Sequence, residues 1–270
     1  MNTYTRENIQ SSMLKRVVFR IDFSGETDLQ SFINRLKQQE FLKNAFGQFA
    51  IIPKRNISVS FKPKDIVEGQ LPYAEAQNSI LYRFYDCKIQ DNPKVTLDLD
   101  TDSITLVVNC EDKYQGSSEY TKFISQTINE LRSHDSYVSI NRLGVRKIDV
   151  KVLEEGEEIN DFFSENFYVA NSLLQRPERS KSVVTELIDI KNIGINVTQL
   201  IDRVSDGKRR LIYDVDAFLE DKNLKQALDN NEIYKLLYND MQDQMFELFK
   251  SVVSKKYLEN CKQQKEKQNG

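Results

Sequence analysis

The side chains best equipped for chemistry are carboxylates and arginines spaced at period two. Asp98, Asp100 and Asp102 fall on one face of an extended chain, where three oxygen donors could hold a hard cation. A calcium loop would need Gly at the place of Ser103 and a bidentate Glu at the place of Asn109, so the run reads instead as a solvated hairpin turn. Asp214 and Asp216 also share a strand face, in Leu211-Ile212-Tyr213-Asp214-Val215-Asp216. With a further carboxylate nearby they would resemble the metal-binding pair of a phosphodiesterase or nuclease, although an acidic outer face explains them equally well. Arg142 and Arg146 lie four apart on one strand and hence on one face, followed by Lys147. Two such guanidiniums could clamp an acidic partner or a phosphate by bidentate hydrogen bonds. They could equally pair with Asp214 and Asp216 across neighbouring strands. The candidate binding residues are therefore Arg142, Arg146, Lys147, Asp214 and Asp216, with no catalytic residue and no metal ligand assigned.

Most enzyme classes fall away on residue types. The single histidine, His134, sits at the expected end of a helix beside Arg132, where it can interact with the C-terminal dipole. Its hydroxyl neighbours Ser133 and Ser136 belong to no Gly-x-Ser-x-Gly elbow. The nine glycines are scattered singly, without either phosphate-binding glycine pattern. Cys87, Cys110 and Cys261 are odd in number and far apart, which fits reduced thiols better than a disulfide framework or a zinc site. No cofactor is expected.

With 38 basic and 41 acidic residues the net charge is −3, so no global field draws the chain to nucleic acid or anionic lipid. Local basic clusters remain at Lys54-Arg55, at Arg142, Arg146 and Lys147, at Arg176, Arg179 and Lys181, and at Lys208-Arg209-Arg210. Converging in space, they could track a phosphate backbone while Tyr82, Phe84 or Tyr85 stack on bases, so nucleic acid stays as the alternative partner. The acidic run from Glu154 to Asp161 opposes this, and the basic tail from Lys255 reads as a solvated helix end. No apolar run is long enough for a membrane span and the first fifteen residues hold no apolar leader, so a cytoplasmic location is expected.

The elements that must position these groups follow from periodicity. Phe19, Ile21 and Phe23 alternate as a strand, and Leu29, Phe32, Ile33 and Leu36 then follow helical spacing behind Thr27 as a cap. Gly47 and Pro53 read as a loop, Ile57, Val59 and Phe61 as a strand closed by Pro63, residues 62–80 as a polar connection, and Leu81 to Cys87 as another strand. Val95–Leu99 and Ile104–Val108 form a hairpin, and Tyr120, Phe123, Ile124, Ile128 and Leu131 stripe a helix. The order then recurs: a long strand from Tyr137 to Val152, a short helical segment with Phe162, Phe163 and Phe167, three strands (183–190, 193–200, 210–216) and a helical end. Ile233, Leu237, Met241, Met245 and Phe249 stripe that end, with Asp229-x-x-Glu232 as its capping box. The expected fold is α+β, with two similar half-domains, 1–134 and 135–270, each an antiparallel sheet with a short helix and a long C-terminal helix.

The run Asn141-Arg142-Leu143-Gly144-Val145-Arg146-Lys147-Ile148 resembles the central Arg-Ile-Gly-Leu-Arg-Tyr-Ile-Asn strand of a sporadically distributed bacterial family of about this length, known mainly as uncharacterised proteins. Val17–Phe23 is similar to that family's opening strand, Tyr114 to a tyrosine before its helix, Leu211–Ala217 to an acidic strand and Met245–Phe249 to its final helix. Lys147 and Asp149 replace the family's tyrosine and asparagine, and its proline before the first strand is absent. In element order each half is also reminiscent of SecB-like chaperones, whose sheet and long helix present apolar grooves to client chains. The resemblance implies protein binding, in a mobile phage-defence or toxin–antitoxin module. The expectation is thus a non-enzymatic protein-binding homodimer, drawing on twelve Tyr and fifteen Phe for core and interface, with nucleic-acid binding as the alternative and a metal-dependent phosphodiesterase or nuclease third.

Overall fold

Alternation at period two settles which face of each strand is covered. In β1 (Leu14–Ser24) Val17, Phe19, Ile21 and Phe23 are buried, while Arg16, Arg20 and Ser24 are exposed on the other face. The computed structural model describes residues 4–6, 9, 11–25, 28–60, 73–87, 93–110, 116–134, 137–167, 181–230 and 232–269. Thr27, Phe61, Pro63, Tyr114, Ser136, Arg176 and Arg179, singled out above, lie outside them, as do the side chains of Arg55, Ile57 and Val59.

The further strands are β2 (Gln48–Ser60), β3 (Tyr73–Tyr85), β4 (Val95–Leu99), β5 (Ser103–Asn109), β6 (Ser139–Val152), β7 (Lys181–Ile190), β8 (Ile193–Arg203) and β9 (Arg209–Glu220). The described strands form one nine-stranded antiparallel sheet in the order β2-β3-β4-β5-β1-β6-β9-β8-β7. β1 and β6 lie side by side in its middle. Strands from both sides of the expected boundary share this one sheet, and the buried apolar side chains other than Leu81 and Tyr85 form one cluster. The fold is α+β.

Helices cover one face: α1 (Leu29–Leu36), α2 (Glu40–Ala45), α3 (Ser118–His134), α4 (Ile159–Phe162), α5 (Asp221–Asp229), then α6 (Ile233–Lys235), which passes through a π-helical stretch, Leu236–Met241, into α7 (Gln242–Val252), and finally α8 (Lys255–Asn269). The predicted stripe Ile233, Leu237, Met241, Met245 and Phe249 is buried throughout. Its strict four-residue spacing would drift by about 40° per step on a regular α-helix, and the wider π winding brings the stripe back onto the sheet. None of the helices among the described residues is long and apolar enough to cross a membrane.

Several local expectations are corrected. β2 starts at Gln48 and runs through Pro53, which is tolerated because β2 is an edge strand and needs no N–H on its outer side. β3 begins at Tyr73, so residues 73–80 are strand and not connection. The N-cap of α1 is Asp28, whose carboxylate accepts from the Ser31 N–H at 3.0 Å. Asp229 ends α5 and Glu232 makes no side-chain cap; the capping box sits instead on α4, between Glu158 and Asp161.

Candidate functional site

The five candidate residues divide between the two faces of the sheet. On the open face, Arg146 Nε donates to Asp214 Oδ1 at 2.8 Å, and Arg142 Nη2 donates to Asp216 Oδ2 at 2.7 Å. Asp214 draws the Arg146 guanidinium further up from its ordinary value. Arg142 also faces Glu220 at 3.3 Å and Asp22 at 3.9 Å, so one guanidinium joins β1, β6 and β9. It reaches Asp216 by crossing Gly144, and its guanidinium lies 4.6 Å from the centre of the Phe218 ring. A Cβ on Gly194 would sit 2.6 Å from the tip of that ring, so glycine there gives the phenyl group its bed.

Other charged residues on this face are similarly engaged, while Asp102 stands exposed in the β4–β5 turn. Asp98 accepts from Nε and Nη2 of Arg83, Asp100 takes Lys54 at 2.6 Å, Asp202 takes Arg210, and Lys208 meets Glu154. Among the described residues no three His, Cys, Asp or Glu side chains are grouped so as to hold a metal. His134 packs its ring 5.5 Å from Phe32.

Lys147 points the other way. Leu143 and Val145 precede it on the covered face of β6 and Asp149 follows it, so two charged residues occupy positions where the strand pattern calls for apolar ones. Val215 and Tyr213 of β9 stand directly opposite Lys147 and Asp149. Together they floor a cavity of about 420 Å³. The π-helical stretch and α7 roof it with Tyr238, Gln242, Met245, Phe246 and Phe249, and Arg6, Ser11, Cys110 and Ser117 are among the residues at its sides. Asp149, 6% exposed, accepts from Ser11 Oγ at 3.0 Å. The Tyr213 hydroxyl, 1% exposed, and Gln242 Oε1, 0% exposed, have no hydrogen-bond partner among the described residues. Arg6 at the rim is already engaged, by Asp243 at 2.8 Å and by the Tyr238 carbonyl.

Desolvation governs the charges. Burial pushes the Asp149 carboxyl from an ordinary 3.8 up to about 6, against the Ser11 hydrogen bond and Lys147. Burial, then Arg6, pulls the Lys147 ammonium from 10.5 down to about 8. Cys110 is pushed up to about 12 by burial, which leaves a thiol of low reactivity. The folded state holds the Asp149 proton that the unfolded chain releases between pH 3.8 and about 6, so this group makes stability fall as pH rises through that window. Lys147 works in reverse: the folded state releases its proton first, and stability rises between about pH 8 and 10.5. In Asp149→Asn the acid-side slope should vanish. Its Tm relative to the parent should climb between pH 3.8 and about 6; a constant difference in melting scans would contradict an ionising Asp149.

Of the cavity groups, sequence reasoning selected only Lys147; Arg6, Ser11, Tyr213 and Gln242 went unselected. The available signal was the break in β6, where charged residues follow Leu143 and Val145 in phase with them. Comparison of the chain with protein-family models and with curated proteins returns no match.

Proposed function

We propose that the protein is a non-enzymatic binding protein whose working unit is a homodimer joined edge to edge through β7. The observation that carries this reading is the self-complementarity of that strand. Paired antiparallel with a second copy about Thr185, β7 sets Lys181 against Asp189 and Val183 against Leu187 on the open face, with Thr185 facing its own copy. On the other face the same register sets Ser182 against Ile188 and Val184 against Glu186, with no like charges opposed.

The two ends of the sheet differ in a way that supports the assignment. Both edges expose apolar side chains, Ile51 at 57% on β2 and Val183 at 47% and Leu187 at 65% on β7, but β2 also carries Pro53 and Lys54, residues that discourage edge pairing, and β7 has no proline. Behind them an apolar row, Val183-Leu200-Ile212-Val150, crosses four strands in direct register. A second copy would extend that row across the junction. The open face offers nucleic acid less, because Arg142, Arg146, Lys54 and Arg210 are each neutralised by a carboxylate of the chain itself.

Light scattering on a size-exclusion column tests the proposal. The parent chain should run as a dimer, and Thr185→Arg, which opposes two guanidiniums at the symmetry axis, should raise the dissociation constant at least about tenfold. Lys181→Glu should weaken the dimer, and adding Asp189→Lys should restore it. A monomeric parent, or a dimer indifferent to these changes, would overturn the reading.

A further inference from the structure

We infer that the cavity between β6, β9 and α7 binds an uncharged nitrogen heterocycle of the guanine type, carrying a lactam carbonyl beside adjacent N–H and amino groups. The inventory of unused hydrogen-bonding groups points there. Lys147 makes no hydrogen bond or ion pair among the described residues, and Tyr213 has a buried hydroxyl without a partner, so a ligand carrying acceptors would satisfy both. Among the same residues Gln242 Oε1 lacks a donor and Asp149 accepts from Ser11 alone, so the same ligand would satisfy them by bringing donors.

Charge narrows the class. Asp149 and Lys147 offset each other, and Arg6 is offset by Asp243, so the site has no surplus cation for a phosphate. Shape narrows it further. Tyr213, Tyr238, Phe246 and Phe249 line the walls, and about 420 Å³ lies within the range of roughly 300–1,000 Å³ typical of small-molecule pockets. A flat bicyclic ring suits such walls better than an aliphatic zwitterion. On guanine the ring N–H and the amino group lie side by side and suit a carboxylate, while the neighbouring carbonyl suits an ammonium. Adenine presents a bare ring nitrogen where that N–H would be and would set a lone pair against Asp149. The placement of Tyr238 and Gln242 depends on the π-helical stretch, a feature often found beside functional sites.

The test uses nucleosides on the full chain, by calorimetry and thermal shift. Guanosine should bind and raise the Tm, and adenosine should not. Tyr213→Phe, which removes a hydroxyl that has no partner in the free protein, should melt no lower than the parent and bind guanosine about fivefold more weakly. Asp149→Asn, whose amide offers N–H in place of a carboxylate oxygen, should exchange guanosine for xanthosine, which carries a carbonyl in place of the amino group. A parent chain that ignores guanosine, binds adenosine or a free amino acid as tightly, or fails to exchange ligands on Asp149→Asn, overturns the inference.

Discussion

Replacing Gly25 with alanine should destabilise the fold by about 3 kcal/mol, a drop in Tm on the order of 5–10 °C. Two independent causes act at this position. Its φ of +115° is one that L side chains rarely adopt. A Cβ added there would also lie 2.2 Å from the Tyr137 carbonyl oxygen, a rigid backbone atom that cannot swing aside. Gly25 follows Ser24, which pairs with Ser139, so relief of the clash must separate the end of β1 from the start of β6. Urea unfolding of Gly25→Ala measures the loss; a change below about 1 kcal/mol would mean that the two central strands are not held together there as described.

The second large effect is an asymmetry between two arginines that look equivalent in sequence. Arg142→Ala should cost about 2–3 kcal/mol, since Arg142 is 21% exposed and three carboxylates converge on it above the Phe218 ring. Removing it leaves Glu220 without a cation, Asp216 with only Arg146 nearby and Asp22 with only the exposed Arg20. Arg146→Ala should cost about 0.5–1 kcal/mol, because its side chain is 49% exposed and serves one carboxylate. Equal losses in denaturant melts would refute the hub. High salt should narrow the gap only modestly, as the Arg142 pairs are more shielded from solvent than those of Arg146.

The strands and helices with strong local periodicity were legible in the sequence: the β4–β5 hairpin, the α3 stripe and the length of β6 all stand where alternation or helical spacing puts them. Pro53 misled because a proline is incompatible with a central strand and harmless at an edge, and position within the sheet is not a local property. The same limit hid the cavity. Alternation shows that Lys147 and Asp149 share a face and that Arg142 and Arg146 share the other, but not which face the helices cover. Tyr213 and Gln242 meet them only through a β6–β9 register and a helix packed across it, contacts between segments far apart in the chain. Cross-strand pairing of Arg142 and Arg146 with Asp216 and Asp214 was foreseeable as one of two options, since period two allows both.

The segment that leads into β1 is secured by α8. The Tyr257 hydroxyl on α8 hydrogen-bonds Ser11 at 3.1 Å and accepts from the Met13 N–H at 3.2 Å, across 246 and 244 residues of sequence. During synthesis from the N-terminus, β1 leaves the ribosome long before β6 can flank it and longer still before Tyr257 exists. Phe19, Ile21 and Phe23 must therefore wait, uncovered on one side, while most of the polypeptide is made. Such long-range closure predicts slow folding.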